Sequence, residues 1–205
     1  MQTRTSFSDK TKQLVQLAIL AAIVLIFAFT PIGYLRVGAI EITFIVIPVA
    51  IGAIMVGPAG GAVLGALFGI TSFLQCFGTS AFGAFMLGLD PILTFVICLV
   101  PRVLCGWLSG LLFRALARVD KTKLVSFFAA ALATPLLNTA FFIGSILLFF
   151  WRNEAFLAKM AGWGIPTDSI LTFFVAFVGV NGLVEAIVSF VVSAAVAKAL
   201  VKLIK

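Results

Sequence analysis

The chain contains no histidine, and its three cysteines, Cys76, Cys98 and Cys105, lie in apolar runs with no CxxC spacing. The usual proton-transfer and metal chemistry is thereby missing. The thiols are expected to pack as small apolar side chains. Charge is scarce as well. Asp, Glu, Lys and Arg make up 10% of the 205 residues, where a soluble domain carries about 25%. Within the apolar runs the only central carboxylate is Glu185, so an acid–base pair is lacking. The glycine-rich run at Gly57–Gly69 lacks the lysine that a phosphate-binding loop requires. No catalytic residue, metal, cofactor or nucleic-acid partner is expected, and the chain does not read as an enzyme.

What is present is apolar: 63% of the residues are hydrophobic. The pattern predicts an all-α integral membrane protein, a bundle of six transmembrane helices forming one domain over residues 1–205. The helices are expected over about 10–29, 43–56, 61–76, 91–118, 124–151 and 169–197. The punctuation supports these limits. Ser8 or Asp9 offers a cap for the first helix, and Pro31 follows its end. Pro48 interrupts the second, and GPAGG at 57–61 reverses the chain. Asp90-Pro91 opens the fourth, with proline in the first turn. Small residues recur at close-packing spacing: Ala18 and Ala22 on the first helix, and Gly61, Gly65 and Gly69 on the third.

Six spans place both termini on one side. The flanks on that side hold Arg4, Lys10, Lys12, Arg114, Arg118, Lys121, Lys123, Lys198, Lys202 and Lys205. The other side holds Arg36, Arg152 and Lys159. The excess of positive charge assigns both termini to the cytoplasm. The longer connections, 30–42, 77–89 and 152–168, then face outward.

Arg102 lies near the middle of the fourth apolar run, directly after Pro101. An arginine at the centre of a membrane helix costs at least ~2.5–3.5 kcal/mol, and it cannot shed its proton. Pro101 removes a backbone hydrogen bond and frees a carbonyl at the same depth. Counted from the cytoplasmic helix ends at ~1.5 Å per residue, Arg102, Gln75, Asn138, Asn181 and Glu185 all lie ~18–24 Å deep. Two readings follow. The layer can hold helices together, with an Arg102–Glu185 ion pair. Alternatively, it lines a ligand pocket of few polar groups and apolar walls beneath the outward loops. The second reading is favoured.

The run IPVAIGAIMVGPAGGAVLGALFGITSF (Ile47 to Phe73), followed by DPILTFVICLVPRVLCG (Asp90 to Gly106), resembles the substrate-binding subunits of energy-coupling factor (ECF) vitamin transporters. LLNTAFFIGSILLFF (Leu136 to Phe150) continues the likeness. Within that family the chain looks most like pantothenate-type members. The resemblance implies a multi-pass protein of the bacterial plasma membrane that binds a small-molecule vitamin from outside. It implies partners: a membrane coupling subunit and two cytoplasmic ATPase subunits. It also implies docking through an AxxxA motif on the first helix, matched here by Ala18 and Ala22, with toppling of the whole subunit as the transport step. Another small water-soluble vitamin or precursor is the alternative substrate. A non-transport membrane bundle or a membrane enzyme is the distant alternative.

Overall fold

The structure is a computed structural model that describes residues 4–37, 40–120, 124–177, 179, 187–188 and 190–192. Helix α1 runs Arg4–Phe29 and a short 3-10 turn, Pro31–Gly33, follows it. Ser8 and Asp9 lie within α1, so neither caps it. Strands β1 (Tyr34–Val37) and β2 (Ile40–Thr43) pair antiparallel, Tyr34 opposite Thr43 and Val37 opposite Ile40. The Phe44 N–H donates to the Gly33 carbonyl at 2.9 Å and closes the base of this hairpin.

Helix α2 (Val46–Met55) begins two residues before Pro48. The proline therefore sits in the first turn, where an N–H has no helical partner to lose. It starts the helix rather than interrupting it. Gly57 then takes φ 97° ahead of α3 (Pro58–Gln75), whose first residue is proline. Only glycine adopts that conformation without strain. A side chain there would also collide with the Arg114 guanidinium.

Helices α4 (Ala81–Leu89), α5 (Pro91–Leu116), α6 (Leu124–Phe150) and α7 (Glu154–Gly162) complete the elements with fixed bounds. Asp90 starts α5 as its sequence suggests. Its carboxylate accepts from the N–H groups of Ile92 and Leu93 at 2.9 and 3.0 Å. Ser80 and Asn153 cap α4 and α7 in the same way. Residues 170–177 are helical again.

Among the described residues, four helical stretches are long and apolar enough to cross a membrane: Lys10–Phe29, Pro58–Gln75, Pro91–Leu116 and Leu124–Phe150. Helix α2 has 10 residues, which at ~1.5 Å each cover about half of a ~30 Å core. The three longer connections carry structure of their own: the hairpin, α4 and α7.

Among the described helices, α3 and α5 meet most closely, and glycine makes it so. A methyl on Gly61 would collide with the Gly106 carbonyl, and one on Gly106 with the Gly61 carbonyl. A methyl on Gly65 would strike the Arg102 carbonyl, and one on Gly69 would lie 2.8 Å from that of Cys98. The expected packing face is thus in contact with the stretch of α5 that carries Arg102. Around this seam lie two apolar clusters. One joins α1, α2 and α3 through Leu20, Val24, Val46, Val49, Leu64 and Phe68. The other joins α4, α5, α6, α7 and the following helical residues through Met86, Ile97, Ile146, Phe156, Met160 and Phe173.

Candidate binding site around Arg102

Arg102 is buried, with 7% of its surface exposed. Its Nη1 donates to the carbonyl oxygen of Ile97 at 2.9 Å. The identity of that acceptor follows from the sequence. In a helix the Ile97 carbonyl would receive the N–H of residue 101, and residue 101 is proline. Arg102 takes the bond that Pro101 cannot make.

Two rings hold the guanidinium. Its carbon lies 4.2 Å from the centroid of Phe142 on α6 and 5.3 Å from that of Phe68 on α3. Such contacts contribute about 2 kcal/mol or more each when desolvated. The N–H groups of a guanidinium lie in its plane, so its hydrogen bonds are made at its edges. One edge is taken by Ile97. On the other, Nε is buried with no acceptor. Among the described residues no carboxylate pairs with Arg102.

Asn138 presents the complementary atom. It is 5% exposed, and its Oδ1 is buried without a donor. Helices α5 and α6 run antiparallel, with the Cys105 thiol donating to the Thr134 carbonyl at 3.1 Å and Arg102 against Phe142. Asn138 lies one helical turn beyond Thr134 and one before Phe142, hence at the level of Arg102. A donor and an acceptor, both buried and both unsatisfied, therefore lie on facing helices at one depth. Buried polar groups are nearly always paired, and these two atoms lack the partner such groups usually have.

Gln75 is placed differently. Its Nε2 donates to the carbonyl of Ala28, in the last turn of α1. Such carbonyls have no intrahelical partner, so Gln75 ties α3 to the end of α1. Asn181 and Glu185 lie outside the described residues. Ala18 and Ala22 are exposed, on the side of α1 that also exposes Val15, Ile19, Ile26 and Phe29. The three cysteines are buried, as packing residues should be. Cys76 and Cys98 bring their sulfurs to 3.9 Å between the end of α3 and α5.

Sequence reasoning missed the two rings. Phe142 was within reach of it, one turn from Asn138 on the same face of α6. Phe142 also leads outward. Its ring meets Phe82 of α4 at 6.4 Å, and Phe82 meets Trp163 at 6.2 Å. Lys159 of α7 places its ammonium 5.3 Å from the Trp163 ring and 5.9 Å from Phe85. An aromatic column thus connects the buried cation to the helices of the connections.

Two comparisons bear on this arrangement. The profile of a family described as the substrate-specific component of ECF transporters matches residues 12–197. The pantothenate transporter PanT of Leuconostoc mesenteroides subsp. mesenteroides is 28% identical over 203 residues, covering 95% of this chain and 94% of its own length.

Proposed function

We infer the function of this chain from its family: it belongs to the substrate-specific components of ECF transporters. It is a multi-pass protein of the cell membrane and the vitamin-specific part of an importer. The substrate we propose is pantothenate, for which the relative PanT is named. Pantothenate is a small acid with a carboxylate, an amide and hydroxyl groups. The observation that carries the proposal is the unsatisfied pair at one depth, Nε of Arg102 and Oδ1 of Asn138. Arg102 takes the carboxylate by a charge-assisted contact, and Asn138 receives a hydroxyl or amide proton. Phe68 and Phe142 supply an apolar, water-excluding wall. Gln75 supports the site by holding α1 against α3. Asn181 and Glu185, on the sixth proposed span, complete the polar layer.

The chain is proposed to form one membrane domain of six spans with both termini in the cytoplasm, consistent with the distribution of Lys and Arg. It binds substrate from outside and hands it inward by docking on a membrane coupling subunit served by two ATPases. The exposed Ala18 and Ala22 on α1 provide the docking face. The chain performs no chemistry of its own, and nucleotide hydrolysis belongs to the partners.

Calorimetry on the purified chain tests the site, using pantothenate and its carboxamide analogue. The wild type is expected to prefer the acid. Arg102→Gln should abolish that preference and weaken acid binding by ~2–5 kcal/mol, the scale for a buried charge pair that loses one member. Arg102→Lys keeps the charge but not the planar fork, so it should fall between the two. If Arg102→Gln binds the acid normally while Glu185→Gln unfolds the protein, Arg102 belongs to an internal ion pair and the site lies elsewhere.

A further inference from the structure

We propose that Pro101 is a positioning residue for substrate selection: by leaving the Ile97 carbonyl without a backbone donor, it latches Arg102 and aims its free edge at the substrate carboxylate. The inference rests on the reading of Arg102 as the carboxylate contact and explains how that contact is oriented.

An arginine side chain has several rotatable bonds, and in an apolar interior its guanidinium would turn to any acceptor within reach. Three observations restrict it. Nη1 is bonded to the Ile97 carbonyl at 2.9 Å. The ring of Phe142, its centroid 4.2 Å from the guanidinium carbon, bounds the group on one side. The backbone of Arg102 is pinned from behind, because its carbonyl packs where Gly65 has no side chain. With the backbone placed, one bond made and a ring on one side, the range open to Nε is narrowed. That is the atom left buried and without an acceptor.

The latch is favoured because residue 101 has no N–H, which leaves the Ile97 carbonyl without the helical donor it would otherwise share. In an ordinary helix the Ile97 carbonyl would be occupied by that N–H, and the guanidinium would have to compete for it. The two proline-containing long helices differ in this respect. Pro135 also interrupts the ladder, in α6, but the residue after it is Leu136, which has no side-chain donor. A proline bend alone is therefore not the device. The device is the pairing of a proline with the cation that follows it in sequence.

The test is Pro101→Ala, which restores the N–H. The substitution removes a residue unfavourable in a helix interior, so the variant is expected to fold. Pantothenate and its carboxamide are titrated into the wild type, Pro101→Ala, Arg102→Gln and the double variant. Pro101→Ala should lower the acid-over-amide preference about tenfold, or ~1.4 kcal/mol, while binding of the amide changes little. On the Arg102→Gln background the same substitution should have no further effect on the preference. Pro135→Ala, a proline removal of the same kind, should leave the preference unchanged. If Arg102→Gln abolishes the preference and Pro101→Ala retains it in full, the latch is wrong and the carboxylate contact stands. If Arg102→Gln keeps the preference, both fall together. Should Pro101→Ala not fold, Pro101→Gly, which restores the same N–H, takes its place. An unchanged preference in that variant overturns the proposal.

Discussion

A polar atom buried without a partner costs about 1–3 kcal/mol, and the chain carries such atoms on Arg102 and Asn138. At Asn138 this yields a prediction with opposite signs. Asn138→Leu should raise the melting temperature of the ligand-free protein in detergent, because the orphaned acceptor is gone. It should also weaken pantothenate binding by about 1–1.5 kcal/mol, the net value of one hydrogen bond. Lower ligand-free stability with unchanged affinity would assign Asn138 to packing alone. Gln75 should behave in the reverse sense, since its amide already has the Ala28 carbonyl. Gln75→Leu is expected to lower ligand-free stability by about 0.5–1.5 kcal/mol, read from the same melting curves. A melting temperature at or above wild type would show that the bond to α1 contributes nothing.

Helices α3 and α5 meet backbone to backbone, and the glycines on their seam are not equivalent to glycines elsewhere. A methyl at Gly65 has the Arg102 carbonyl in its path, whereas a methyl at Gly144, within α6, meets nothing within 4 Å. Gly65→Ala should therefore destabilise the protein by about 1–3 kcal/mol, the usual cost of overpacking. Because it pushes on the residue that presents the guanidinium, it should also reduce pantothenate affinity. Gly144→Ala should be neutral or stabilising by up to about 0.5–1 kcal/mol, since alanine loses less conformational freedom than glycine in a helix. Equal melting temperatures for the two variants would show that α3 and α5 are less tightly seated than the structure has them. The same seam explains why α3 and α5 hold Arg102 firmly while α4 and α7 contribute rings from the connections.

For the molecule as a whole, the orientation in the membrane and the docking face are the testable claims. Ala158, on α7, and Val119, after α5, are both exposed, and the native cysteines are buried. A membrane-impermeant thiol reagent should label Ala158→Cys in intact cells and should label Val119→Cys only after the membrane is opened. The opposite pattern would invert the bundle. For docking, Ala18→Trp with Ala22→Trp should abolish uptake in cells while pantothenate binding by the isolated chain stays near wild type, because these positions face away from the packed side of α1. Uptake that survives the double substitution would move the docking surface to another face.

Much of this was legible in the linear chain, for definite reasons. Membrane residence follows from composition, because hydrocarbon excludes charge. The start of α5 follows from Asp90-Pro91, whose effect is local, whereas α3 starts at Pro58, inside the stretch 57–61 expected to be a turn. That α3 carries a close-packing face follows from glycine spacing, because only a missing side chain lets two backbones approach, while its partner α5 is named only by the structure. The special status of Arg102 follows from its charge, and the free carbonyl beside it from Pro101. The tertiary structure decided the rest. Counting residues along a helix gives depth but not the direction in which a side chain points. That count puts Gln75 at the depth of Asn138, yet its amide meets the Ala28 carbonyl of α1. Helices α4 and α7 leave little trace in the sequence, since Phe82, Phe85, Phe156 and Met160 become one cluster only when distant segments meet. The contact of Arg102 with both Phe68 and Phe142 likewise needs three helices assembled around one point. Local rules reach as far as a turn or a cap, while a site built from several helices exists only in their packing.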